Sequence, residues 1–267
     1  MLYSCSGTGV DPNPEPSDPR ARPSFRFDAA RNHFLLKPWN YDTPENSQKN
    51  YPLVIFLHGM GGAGDISYLN FLGYDKDDGV DDTVALGFQK RYPAFVLVPQ
   101  TNGEWDNSKL IEEGEFIKKT YRVDTKRIYL IGYSMGGSGS YSFANAWYDY
   151  NQHLFAGIIR LVGQSQTVVR DSIAKRTAIW LHVGLLDLPL RVNVVRSAYN
   201  FLKDYNTGAV ETVKDTTVSG YPAKIYTLTI DKDERIKMTE YGNAGHGILN
   251  VPFRDNHSID WLFRHTL

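Results

Sequence analysis

Ser134 stands in Gly132-Tyr133-Ser134-Met135-Gly136, a G-x-S-x-G pattern behind the apolar run Ile128 to Ile131 and ahead of a helix-length segment. A serine hydroxyl becomes a useful nucleophile only when a base takes its proton and an acid orients that base, so the pattern points to acyl chemistry if both partners exist. The glycines have a steric reason. A nucleophile on a sharp strand-to-helix turn holds a strained backbone, and neighbours without a Cβ keep that turn free of clashes. The same turn puts the Met135 amide at a helix N-terminus, where it can donate to an oxyanion.

Seven histidines are available as base. For a serine on such a turn the chain order is Ser, then Asp or Glu, then His. His33, His58, His153 and His182 precede the candidate acid, and His257 and His265 lie in or beside a closing helical segment. His246 stands in the glycine-flanked loop Asn243-Ala244-Gly245-His246-Gly247 after a strand, and is the expected base. Asp187 follows the strand-like run Ile179 to Val183, hence at the same sheet edge as Ser134, and is the expected acid. Asp171 and Asp204 compete on spacing alone, from helix-like or loop surroundings where a carboxylate is ordinarily just solvated.

A second oxyanion donor belongs on the loop after an early strand. Here that loop is His58-Gly59-Met60-Gly61-Gly62-Ala63-Gly64, which makes Met60 the first candidate and Gly61 the second, with His58 bracing the loop. Gln100, Trp105 and Gln164 fall in loops of the same edge as candidate substrate contacts, and the Trp105 ring could stack on a sugar or phenolic ring. The acidic stretch Asp75 to Asp82 lacks the glycine spacing and terminal glutamate of an EF-hand and reads as a solvated loop, so neither metal nor cofactor is expected.

The elements that must carry these residues are short apolar runs: Leu53 to Leu57, Phe95 to Val98, Ile128 to Ile131, Ile158 to Leu161 and Ile179 to Val183. Each is closed by Gly, Pro or polar residues, as buried parallel strands are. Between them lie helical stretches at Val84 to Arg91, Lys109 to Thr120, Gly137 to Tyr150 and Leu190 to Tyr205. Such alternation predicts an α/β domain, a mostly parallel sheet with helices on both faces and ligands at the carboxyl ends of its strands. Ser24 to Asp28 and His33 to Lys37 read as a hairpin-like pair, Val210 to Ile230 as an added β segment before a strand at Ile236 to Tyr241, and Ser258 to Arg264 as a closing amphipathic helix.

Composition narrows the partners. With 29 basic against 30 acidic residues there is no charge excess to draw a nucleic acid. The longest apolar runs are far shorter than the ~20 residues that cross a bilayer. Cys5 is the only cysteine, so no disulfide forms within the chain. It lies in Leu2-Tyr3-Ser4-Cys5, ahead of a stretch with five prolines between Pro12 and Pro23. Residues 1–23 therefore read as an extended tether, and 24–267 as the catalytic domain. Leu2 to Cys5 resembles the end of a bacterial lipoprotein signal, which implies a lipid on Cys5 as the one link to a membrane and work outside the cytoplasm.

PLVIFLHGMGG, AFVLVPQ, VDTKRIYLIGYSMGG, IWLHVGLLD, TEYGNAGHG and the closing DWLF resemble, in that order, the serine esterases of the α/β-hydrolase superfamily. The likeness is to the secreted group with feruloyl and acetylxylan esterases, polyhydroxybutyrate depolymerases and predicted peptidases. It implies a triad of Ser134, Asp187 and His246, with Met60 and Met135 at the oxyanion positions. Two departures stand out. Val183 separates His182 from Gly184 where the family usually has H-G-x-x-D, and Gly247-Ile248-Leu249 follows His246 where many relatives carry a tryptophan. The expected function is a carboxylic ester hydrolase acting on small-molecule or polysaccharide esters such as feruloyl or acetyl esters. A peptidase shares the triad and differs in its leaving group; a non-catalytic carbohydrate-binding lipoprotein would have no need of the three residue types.

Overall fold

The computed structural model describes residues 25–64, 89, 91–254 and 257–267. The Cys5 tether, the acidic stretch Asp75 to Asp82 and all of the expected Val84 to Arg91 helix except residues 89 and 91 lie outside them.

Among the described residues the strands form one 10-stranded sheet. In chain order they are β1 (Phe25–Asp28), β2 (His33–Leu36), β3 (Tyr51–Leu57), β4 (Phe95–Pro99), β5 (Val123–Tyr133), β6 (Gly157–Leu161), β7 (Ala178–Gly184), β8 (Val210–Val218), β9 (Tyr221–Ile230) and β10 (Asp233–Tyr241). Their order across the sheet is β1-β2-β4-β3-β5-β6-β7-β10-β9-β8. The stretch from β4 to β10 is parallel throughout, and antiparallel pairs occur only towards the two edges.

Every residue of β3, β6 and β7 is buried. Successive side chains of a strand point to opposite faces, so burial without a break means that both faces are covered. The helices that cover them are α1 (Asn107–Thr120), α2 (Met135–Asn151), α3 (Asp171–Arg176), α4 (Pro189–Tyr205) and α5 (His257–Arg264). α1 begins two residues before the expected Lys109 because the Asp106 carboxylate accepts from the Ser108 and Lys109 amides and caps the helix there. α3 is too short, at 6 residues, to leave a helical period in the sequence.

The connection order fixes where a ligand can sit. From β3 the chain passes to β4 on one side, then returns to β5 on the other. The carboxyl ends of β3 and β5 therefore flank the point where the strand order reverses, which opens a crevice. The loop at His58 to Gly64 leaves β3 there, and Ser134 leaves β5. No helix of the described residues is long and apolar enough to cross a membrane.

Candidate active site

Ser134 links β5 directly to α2, with φ 55° and ψ −110°. A non-glycine residue in that region costs about 1–3 kcal/mol and persists only where the surroundings hold it. Here its amide donates to the Leu161 carbonyl at 3.0 Å, and its carbonyl accepts from Ser138 at 2.9 Å. The flanking glycines are needed for close approach. A Cβ on Gly132 would lie 2.3 Å from the Gly136 carbonyl oxygen, and one on Gly136 would lie 1.9 Å from that of Leu57. Any larger residue would push β3, β5 and α2 apart.

Ser134 Oγ lies 2.8 Å from His246 Nε2, and His246 Nδ1 lies 2.7 Å from Asp187 Oδ2. A carboxylate can only accept, so Nδ1 carries the proton and Nε2 presents its lone pair to the serine hydroxyl. Two loops deliver these partners to Ser134. The acid loop after β7 and the histidine loop after β10 are tied by Leu186 N–H to the Ala244 carbonyl at 2.9 Å, and the Tyr133 hydroxyl donates to the His246 carbonyl at 3.3 Å.

The Asp187 side chain is 2 % exposed. Burial pushes its carboxyl up, but hydrogen bonds from His246, Arg191 and the Leu188 amide outweigh this and hold it below the usual carboxylate range. Asp171 begins α3 and accepts from the Tyr205 hydroxyl, while Asp204 is exposed on α4, so neither approaches His246. His33 is buried against Glu113 at 2.6 Å, and His182 lies 3.0 Å from the Tyr241 hydroxyl.

Ser134 opens into a cleft of about 560 Å³ whose walls include Met60, Glu104, Trp105, Met135, Gln164 and Arg191. Met60, whose side chain is exposed, is the second residue of a turn closed by Gly62 N–H to the Gly59 carbonyl at 3.1 Å. His58 is buried beneath it. Its Nδ1 donates to the Gly59 carbonyl at 2.7 Å, its Nε2 accepts from the Thr101 amide at 3.3 Å, and desolvation holds it below the ordinary imidazole range. It joins the glycine loop to the loop after β4.

Trp105 and Gln164 line the Ser134 cleft, and Gln100 does not. Gln100 Oε1 accepts from the Gly64 amide at 2.6 Å, and its Nε2 donates to the Val98 and Pro99 carbonyls at 3.0 and 3.2 Å. It is a strut for the glycine loop. Trp105 packs edge-on against His58 with ring centroids 4.8 Å apart. Val162, another wall residue, has φ 46°, so two strained residues face the same cleft. Arg191, not among the residues expected from the sequence, reaches Asp187 Oδ1 at 2.9 Å from the first turn of α4; a cation four positions after the acid, at the start of a helix, is the signal that could have found it. Among the described residues no three or more His, Cys, Asp or Glu are grouped to hold a metal ion.

No family model matches the chain. It is 27% identical over 230 residues to the bifunctional acetylxylan esterase/xylanase of Neocallimastix patriciarum, a match that takes in 79% of this chain and 31% of the relative. The chain thus spans about a third of that relative's length. Among solved structures, a thermostable esterase superposes with a TM-score of 0.57 at 23% identity, over 92% of this chain and 63% of the other. The acetyl xylan esterase from Aspergillus awamori does so with a TM-score of 0.57 at 14% identity, over 90% and 98%. A ferulic acid esterase gives 0.56 at 14% identity, over 90% and 95%. At such identities the likeness is one of fold. Parallel sheet, strand-to-helix elbow and these superpositions agree that the chain has the α/β-hydrolase fold, and in it the chain is similar to esterases.

Proposed function

We propose that this protein is a serine esterase in which Ser134, His246 and Asp187 act as a triad. The observation that carries the reading is the continuous hydrogen-bonded line from Ser134 Oγ through His246 to Asp187, opening into a cleft. Ser134 Oγ bonds to the ester carbonyl carbon as its proton passes to His246 Nε2, and Asp187 stabilises the imidazolium. The amides of Met60 and Met135 receive the oxyanion, a contact worth about 3 kcal/mol for each donor in such sites. The carbon–alkoxide bond then breaks, and His246 returns the proton to the departing alcohol. Water, deprotonated by His246, attacks the acyl-enzyme, and Ser134 leaves as the protonated hydroxyl with the free acid as product.

The cleft suggests the substrate class. Ser138, Ser142, Ser165, Thr167, Gln164 and Glu104 all border it, which suits hydroxylated or short-acyl groups better than a long hydrocarbon chain. Together with the acetylxylan esterase relative this favours an acetyl or feruloyl ester of a polysaccharide, with Trp105 and Gln164 touching the substrate and Gln100 bracing the loop. A lipid on Cys5 would keep such an enzyme beside an extracellular glycan. A rate panel of acetyl, feruloyl and long-acyl esters with peptide amides tests the reading. The acetyl and feruloyl esters should turn over fastest, and preferential cleavage of the amides would replace it with a peptidase.

A further inference from the structure

Asp187 uses both carboxylate oxygens. Oδ2 faces His246, whereas Oδ1 accepts from the Leu188 amide at 2.7 Å and from Arg191 Nη1 at 2.9 Å. The same guanidinium donates from Nε to Gln164 Oε1 at 3.2 Å. Gln164 is itself anchored, its backbone N–H donating to Ser138 Oγ at 2.9 Å, and both Gln164 and Ser138 line the Ser134 cleft. One planar cation, with a fifth of its side chain exposed, therefore bridges the acid of the relay and a wall of the substrate cleft.

We propose that Arg191 is a positioning residue that keeps Asp187 ionised and aimed at His246 while fixing Gln164 in the cleft wall, so that one side chain governs both turnover and substrate fit. This rests on the triad reading above. A single guanidinium can do both because its donors are held in a rigid fork; a lysine ammonium on a flexible stem is a point charge and serves one partner well. The charged groups that face the Asp187 carboxylate are Arg191 from α4 and His246 from the loop after β10, and the third donor is the neutral Leu188 amide. Removing Arg191 takes away the one permanent cation on the carboxylate. Asp187 then accepts a proton at higher pH, and one positive charge fewer opposes protonation of the base it orients, so the acid limb of activity moves up.

Wild type, Arg191→Met, Arg191→Lys and Gln164→Ala are compared by kcat and KM on p-nitrophenyl acetate and on an acetylated xylo-oligosaccharide, across the acid limb. Both Arg191 replacements suit a helix, so α4 should form in each. Arg191→Met should lower kcat by about 10- to 100-fold, as small misplacements in an active site do, and raise the acid limb by about 1 pH unit. It should also raise KM for the oligosaccharide. Arg191→Lys should restore the limb but leave KM raised, and Gln164→Ala should raise KM alone. An acid limb unmoved in Arg191→Met, or a wild-type KM in Arg191→Lys, would overturn the proposal.

The Asp187 carboxyl midpoint, followed by NMR in a carbon-labelled chain, gives a readout that needs no turnover. It should rise in Arg191→Met, and an unchanged midpoint is contrary to the proposal even in an inactive protein. Failure of the triad reading has a different mark, which is equal rates in wild type and Ser134→Ala.

Discussion

At the residue scale the two buried groups nearest the acid loop show how one fold treats charge in opposite ways. Asp187 is kept ionised because three donors converge on it. His182, on β7 two residues before its end at Gly184, is fully buried, and desolvation lowers it from 6.5 to about 3, with His257 and Lys237 adding to the effect. Its Nδ1 lies 3.0 Å from the Tyr241 hydroxyl, and Trp180 stacks on it with centroids 5.1 Å apart. The sign follows from linkage. The unfolded chain binds a proton on His182 at higher pH than the folded chain does, so the stability that the neutral form provides is complete above 6.5 and drains as pH falls towards about 3. Asp187 acts in the same direction, its stability present above the unfolded carboxylate value and lost as pH drops through its lowered folded value. Urea unfolding of His182→Asn against wild type should therefore show a shallower loss of stability between neutral and mildly acidic pH; parallel curves would mean that His182 is not the group responsible.

At the element scale the elbow is a meeting of three backbones, and its tolerance is close to zero. Gly136 sits where β3 passes α2, with the Leu57 and His58 carbonyl oxygens within 2.8 Å of any Cβ it might carry. Those atoms are backbone and cannot rotate aside. Gly136→Ala should cost about 3 kcal/mol or more, at the upper end for overpacked sites, and should appear as a lowered urea midpoint with an unchanged slope. A wild-type midpoint would show that β3 and α2 are less tightly joined than this geometry requires. Much of this element was legible in advance because its cause is local: a buried strand, a G-x-S-x-G spacing and a helix follow one another without a gap from Val123 to Asn151. The same holds for β9, whose period of two is written along the chain from Ala223 to Ile230, whereas β8 is exposed along nearly all its length and carries no such period. What stayed hidden depends on contacts between distant residues. Gln100 reads as a polar loop residue at a ligand edge, yet its amide is spent on Gly64, 36 positions away. Arg191 reads as one more helix cation, and its bond to Gln164 spans 27 positions.

At the scale of the whole molecule, the cleft exists because strand order reverses at β3: residues that follow β3, β4, β5 and β6 line it, while the loops after β7 and β10 bring Asp187 and His246 to Ser134. Sequence order does not predict that β10, last of the strands, lies beside β7; the parallel pairing of Thr239 with His182 and Tyr241 with Gly184 is what brings the histidine loop over the acid loop. Asp187 and His246 could be chosen from the chain order Ser, Asp, His, but a separation of 59 positions carries no local trace of a 2.7 Å contact. The claim at the centre of this account is that Ser134 is the nucleophile this assembly serves. Hydrolysis of p-nitrophenyl acetate by wild type and by a folded Ser134→Ala tests it most directly. The account predicts a fall in kcat of at least about 1000-fold, the scale of losing the nucleophile from a triad whose oxyanion donors remain; equal rates in the two proteins would contradict it.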